Sequence, residues 1–373
     1  MKNRIKFHGC LIGGAVGDAL GYTVEFQNER TIFDKYGPDG ITEYDLSRGI
    51  PEAIISDDTQ MTLFTANGLL LDTAENDVVS NIANCYKDWY QTQFVTCDAA
   101  KGQYAWLMNV PGLFARRAPG HTCLEAIEQG ANGTIERPIN DSKGCGGLMR
   151  VAPIGLDYSG SALPIAESDM LGAKAAAITH GHDLGYIPAA ALVHIIRMIV
   201  ENEGMPLKEI VQDSILAMND MFPDAEHICD FIGLMQKAVT LAESNLDDLD
   251  GIHELGSGWV AEETLAIAVF CSLRHERDLE RALIAAVNHR GDSDSTGAIA
   301  GNILGAHLGY AASDDKWKKN LELSDVILEL SGDLCRKCQM HEHGPEYDSV
   351  WMSKYGCAVP GYMMPEQGVA EEC

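Results

Sequence analysis

Along the chain, apolar residues recur every three to four positions over 59–72, 77–90, 122–130, 167–180, 186–201, 207–221, 225–244, 259–275, 279–288, 295–310 and 323–340. That spacing builds one apolar face on an α-helix. Several of these stretches open at or just after Ser, Thr, Asp or Asn, whose side chains accept hydrogen bonds from the free N–H groups of a first turn. Strict alternation is scarce, and only residues 41–44 offer a weak strand. Gly/Pro-rich loops separate the helices, among them Pro119-Gly120, 144–147 and 180–185. No linker, repeat or low-complexity block divides the chain, so the pattern predicts an all-α fold in one domain. After Met340 the periodicity fades and Pro345, Pro360 and Pro365 suggest a wrapped or loose tail.

Two loops far apart in the chain concentrate oxygen-bearing side chains immediately before a helix. The first is Ser56-Asp57-Asp58-Thr59 and the second is Gly291-Asp292-Ser293-Asp294-Ser295-Thr296-Gly297. N-capping accounts for one acid in each loop. It does not account for two, because adjacent carboxylates repel unless a cation lies between them. All-oxygen donor sets suit Mg²⁺, Ca²⁺ or Mn²⁺ rather than zinc, and two such loops together could hold two ions. Neither loop has the spacing of an EF-hand, and neither contains the His ligands usual in dinuclear phosphohydrolases. A third element, Gly13-Gly14-Ala15-Val16-Gly17-Asp18-Ala19-Leu20-Gly21, lacks the Lys-Ser/Thr of a phosphate loop. Its small residues read instead as a surface on which another helix approaches closely. Glu25, on the loop that follows, is a candidate acid, base or metal ligand.

Charge and cysteine content narrow the function. The 373 residues include 55 Asp plus Glu against 27 Lys plus Arg, a formal net charge of −28. Such a surface repels phosphate backbones and anionic lipid, so neither nucleic acid nor membrane is expected as a partner. A small anionic substrate stays compatible if a bound cation reverses the field locally. The 11 cysteines are scattered and odd in number, which suits free thiols and a cytoplasmic location. Lys2, Arg4 and Lys6 precede an apolar stretch, but Gly13, Gly14 and Asp18 break it too early for a signal peptide. No run approaches the roughly 18 apolar residues of a membrane span. Cys335 and Cys338, with His341 and His343 behind them, are zinc-type ligands at a spacing too compressed for a finger; packing on one helix face is the alternative. Trp106, Trp259 and Trp351 read as core or rim.

Taken together, Gly13–Phe26, Ser56–Leu63, Gly144–Leu156, Ile178–Ile196 and Asn288–Gly305, with Arg116 to Gly120, Thr122 and Cys123, resemble the ADP-ribosylglycohydrolase family. That family includes dinitrogenase reductase-activating glycohydrolase and ADP-ribosylarginine hydrolases. The resemblance runs in order over about residues 7–355, placing the domain at 1–355 and a C-terminal tail at 356–373. It implies an all-α single-domain fold with two Mg²⁺ ions, Mn²⁺ being a substitute, at the base of a cleft. The implied metal ligands are Ser56, Asp57, Asp58, Asp292, Asp294 and Ser295, with Ser56 where Thr is commoner. Catalysis is expected of Glu25, Asp58 and Asp292. Gly144, Cys145, Gly146, Gly147, Leu148 and Met149 match the loop that approaches ADP-ribose, and His180 a residue near the pocket. A histidine at a helix end, capped by Gly181, is an equally ordinary reading of the last. The implied activity is hydrolysis of the bond between ADP-ribose and a modified protein side chain, arginine foremost. Serine or nucleobase linkages, a dinuclear nucleotide phosphohydrolase and a non-catalytic ADP-ribose-binding relative are the alternatives.

Overall fold

The N-terminal helix, Arg4–Gly21, opens on Asn3, whose side chain accepts from the Ile5 N–H. It carries glycine at every fourth position from Gly9 to Gly21, all on one face. The Ser293–Leu308 helix carries the matching set Gly297, Gly301 and Gly305. In the computed structural model, which describes residues 2–49, 51–71, 77–101, 104–337 and 348–356, these two stripes lie backbone against backbone. A Cβ added at Gly13 would stand 2.3 Å from the Gly301 carbonyl oxygen, and one at Gly17 would stand 2.0 Å from that of Gly297. Asn302 completes the seam by donating to the Cys10 carbonyl at 2.9 Å. No side chain larger than hydrogen fits such an approach.

Around this pair the remaining helices form an all-α fold. Asp57–Leu70 is buried at every residue and Asp183–Glu201 at most, as expected of core helices that are not amphipathic. The Ile165–Ala177, Leu207–Met221, Ile228–Ala242, Ala261–Arg274 and Leu279–Val287 helices pack outside them with their apolar faces inward. By length and composition Asp183–Glu201 could cross a bilayer, contrary to the expectation that no stretch comes near. However, 83% of its most apolar stretch is buried inside the protein. The eight described cysteines that include Cys10, Cys123, Cys145 and Cys335 are all free thiols.

The periodic stretches form helices with ends shifted by a few residues, and four departures have physical causes. Residues 41–44 are not a strand, because the Ile41 backbone is paired by a side chain instead. Asn288 Oδ1 accepts from Ile41 N–H at 2.7 Å, and Asn288 Nδ2 donates to Ile41 O at 2.9 Å. The helix expected from 259 starts at Ala261, so Trp259 stands outside it. Glu29–Tyr36, Ala152–Tyr158 and Asp248–Leu255 are helices without a forecast; Ala152 to Asp157 are all buried, which erases the period. The preceding helix ends at Ala177, short of His180. Gly181 is needed there for close approach, since its Cβ would meet the Asn140 carbonyl oxygen at 2.1 Å, and not as a left-handed cap. Cys338, His341 and His343 lie outside the described residues.

The glycine seam generates a contrast between two Gly→Ala substitutions. Gly233, in the exposed middle of a helix, has nothing within 4 Å of an added Cβ, so Gly233→Ala should stabilise by up to about 1 kcal/mol. Gly301→Ala, whose Cβ would meet Gly13 O at 2.0 Å, should destabilise by about 3 kcal/mol through overpacking. Urea unfolding of the two variants checks both signs.

Candidate functional site

The seam decides where the second acidic loop goes. It sets the start of the Ser293–Leu308 helix beside the end of the N-terminal helix, where a Cβ on Gly21 would lie 2.2 Å from Ser293 O. The first acidic loop is brought to the same place by Asp18, a fully buried carboxylate on the glycine-rich helix. Asp18 accepts from Ser56 N–H at 3.0 Å and Thr59 N–H at 3.1 Å, and also from the Thr59 hydroxyl. It thereby caps the Asp57–Leu70 helix from another element. Burial first, then the nearby Asp294, pushes its pKa up to about 7. Nothing in the spacing of the loops pointed to this residue; its signal was a lone acid inside an otherwise apolar, glycine-rich helix.

Between the two loops lies a cleft of about 500 Å³. Glu25, Asp57, Asp58, Asp292, Asp294 and Ser295 all line it, so the carboxylates singled out from the sequence meet in one place. Single carboxylate oxygens of Glu25, Asp292 and Asp294 lie within 4.8 Å of one another. Ser56 sits just beneath, accepting from Asp58 N–H at 3.1 Å and donating to Asp294. Asp57 accepts from Gly120 N–H at 3.1 Å, and its own N–H donates to Arg117 O at 3.0 Å, which ties down the 116–120 loop. Asp292 caps its helix through Ser295 N–H at 3.3 Å and reaches Cys145.

Hydrogen bonding does not exhaust these groups. Glu25 Oε2, Asp58 Oδ2 and Asp292 Oδ2 are buried and have no hydrogen-bond partner among the described residues. A buried carboxylate oxygen without a donor is costly, and here there are three, on residues that line one cleft. The electrostatics agree. Burial, then the charge of Asp294, raises the pKa of Asp57, Asp58 and Asp292 well above the carboxylate range. Glu25 is pushed up to about 10 by burial and then by Asp294, Asp292 and Asp57. Such an array ionises together only with compensating positive charge.

The opposite wall is the 144–149 loop. Gly144, Cys145, Gly146 and Met149 line the cleft, whereas Gly147 and Leu148 face the core. His180 lies behind the glycines, 3.3 Å from a Cβ on Gly144 and 3.2 Å from one on Gly146. Its Nδ1 pairs with the Thr179 hydroxyl at 2.8 Å, and burial followed by the Arg150 charge lowers its pKa to about 3, so it is neutral. Arg150 is itself fully buried, donating to Thr179 Oγ1 at 2.7 Å and Ala175 O at 3.2 Å with its guanidinium over Tyr86. At the mouth stand Phe26, 73% exposed, and Trp259, 44% exposed, with ring centroids 6.0 Å apart. Trp259 is on the rim, on a loop fixed by Asp292 N–H to Ser257 O at 3.0 Å and by Cys145 N–H to Trp259 O at 3.4 Å.

The chain is similar to known proteins over most of its length. The chain is 25% identical over 349 residues to the human ADP-ribosylhydrolase ARH3, covering 85% of this chain and 89% of that one. It is 24% identical over 339 residues to the ADP-ribosyl-[dinitrogen reductase] glycohydrolase of Rhodospirillum rubrum, covering 87% and 96%. A solved structure described as an ADP-ribosylglycohydrolase-related protein complex superposes with a TM-score of 0.62 at 24% identity, over 90% of this chain and 99% of that one, so the fold is shared. Residues 1–344 match the ADP-ribosylglycohydrolase family as a whole. A cleft walled by two acidic helix starts, on an all-α scaffold matched over nearly its whole length, therefore makes this chain a member of the ADP-ribosylglycohydrolase family.

Proposed function

We propose that the protein is a metal-dependent hydrolase that releases ADP-ribose from modified protein side chains, arginine foremost. The observation that carries this reading is the set of three buried, donorless carboxylate oxygens converging with Asp57 and Asp294 in one cleft. The donor chemistry fits a pair of hard divalent cations. Ser56, Asp57, Asp58, Asp292, Asp294 and Ser295 would hold two Mg²⁺ ions, with Mn²⁺ as a substitute. When bound, such ions polarise sugar hydroxyls and make a water acidic enough to attack at neutral pH.

The remaining roles belong to side chains of the chain itself. Glu25 Oε2 has no hydrogen-bond donor and lies in the cleft, placed to give a proton to the departing atom and take one from water. Asp58 and Asp292 favour positive charge developing at the anomeric carbon. Gly144 and Gly146 line the cleft without side chains and would let a pyrophosphate approach the backbone, and neutral His180 braces them without adding charge. Arginine is favoured as the leaving group by the mouth: a planar guanidinium suits the exposed faces of Phe26 and Trp259 above an acidic floor.

The first test is release of ADP-ribose from an ADP-ribosylarginine peptide. Asp292→Ala with Asp294→Ala should abolish turnover. Glu25→Gln should lower kcat by about 10²-fold or more while ADP-ribose still binds in calorimetry. Full turnover in chelator, or in the double variant, excludes the reading. Faster release from a serine-linked peptide would correct the linkage alone.

Stability supplies a second test, with a definite sign. Because the folded-state pKa values of Asp18, Glu25, Asp57, Asp58 and Asp292 are raised, the folded chain binds more protons than the unfolded one. The part of metal-free stability that these acids set is then greatest below about pH 4, where unfolded carboxyls titrate. It falls as pH rises, with Asp18 ionising at about 7 and Glu25 at about 10. Melting temperature in chelator should decline from about pH 5 to about pH 9, and Mg²⁺ should raise it most at the alkaline end. A Mg²⁺ effect independent of pH would contradict the linkage.

A further inference from the structure

A second set of metal-ligating side chains lies outside the cleft, where the Asp183–Glu201 helix begins. His182 is the residue before that helix, Asp183 is its first residue, and His227 comes from the turn leading into the Ile228–Ala242 helix. One ring nitrogen of each histidine and a carboxylate oxygen of Asp183 lie within 4.8 Å of one another. Asp183 Oδ1 stands 2.8 Å from His182 Nδ1 and 2.9 Å from His227 Nδ1, and the ring centroids are 4.7 Å apart.

The ring nitrogens and the carboxylate are within reach of one ion. His182 Nδ1 also faces the Leu184 N–H at 3.0 Å, and one imidazole nitrogen cannot accept from an amide while donating to a carboxylate. With the proton on Nδ1 it donates to Asp183 Oδ1 at 2.8 Å, and a cation bound there would take that proton's place. The Leu184 amide is not stranded by the change, since Asp183 Oδ1 lies 2.7 Å from it. Meanwhile His227 N–H holds Asp183 Oδ2 at 2.9 Å and fixes the carboxylate.

We propose that His182, Asp183 and His227 form a separate binding site for a zinc-class divalent transition ion. Two imidazoles and one carboxylate select such an ion over Mg²⁺, the reverse of the all-oxygen cleft. The three side chains keep 16%, 10% and 32% of their surface, so water can complete the coordination and the ion can exchange. Its place also gives it a reach. His182 N–H donates to Ser142 O at 3.3 Å, beside the loop that walls the cleft, and His180 lines that cleft two residues earlier. An ion here clips the helix start to the turn at His227 and stiffens that wall.

The full-length protein, stripped with chelator, should be titrated with Co²⁺ alone and followed by visible absorption. A ligand-field band that saturates and is bleached by Zn²⁺ is expected. It should survive in Asp292→Asn/Asp294→Asn, and it should vanish in His227→Gln and His182→Gln. His227 is partly exposed, so its variant decides the matter if the other loses its fold by circular dichroism. Absence of the band, its persistence in His227→Gln, or its loss in the Asp292/Asp294 variant overturns the assignment.

Discussion

The close approach of two glycine-lined helices is the constraint on which the rest of this structure depends. Ordinary helix pairs stand 8–10 Å apart, at a distance set by their side chains. Here hydrogen atoms are all that separate the Arg4–Gly21 and Ser293–Leu308 backbones at Gly9, Gly13 and Gly17. The contact is backbone to backbone, so it has almost no freedom to re-pack. That rigidity is transmitted to Asp292 and Asp294, at the first turn of one helix, and to Asp18, in the last turn of the other. Displacements of about an ångström are enough to spoil a catalytic constellation, and a seam made of backbone is harder to shift than one made of leucines.

Asp18, Asp58 and Asp292 show how one residue type takes opposite roles within a few ångströms. All three are buried acids. Asp18 is surrounded by the donors of a helix start and has its hydrogen bonds filled, so its job is to place a loop. Asp58 and Asp292 each keep an oxygen that nothing among the described residues satisfies, which leaves it open to a ligand. Burial alone does not separate a structural carboxylate from a functional one. What distinguishes Asp58 and Asp292 is a donorless oxygen on a residue that lines the cleft.

The sequence was most legible where an element is half in water. Leu207–Met221 shows a clean apolar stripe, and its limits read off directly. Ala152–Tyr158 is buried nearly all round and has no stripe to detect. The two acidic loops were recognisable because they are short and local, and their side chains meet as expected. Asp18 and Trp259 were harder. Asp18 acts through donors some forty residues away, and Trp259 owes its place on the rim to its loop's contacts with Asp292 and Cys145. Neither relation leaves a mark on local spacing. The strand forecast for 41–44 failed for the same reason: the partner of Ile41 is the side chain of Asn288, 247 positions along the chain.

The bond from Asn302 to Cys10 spans 292 residues, and this separation has a consequence for synthesis. A chain emerging N-terminus first presents its glycine face long before the helix that covers it exists. Until then the carboxylates of Asp57 and Asp58 have no counterpart, and the cleft has only one wall. Closing so long a loop is an entropic cost met late, and contacts of this range slow folding. The nascent protein therefore passes through a long interval in which its acidic cleft is incomplete. Both walls come together only as the last quarter of the molecule docks against the first.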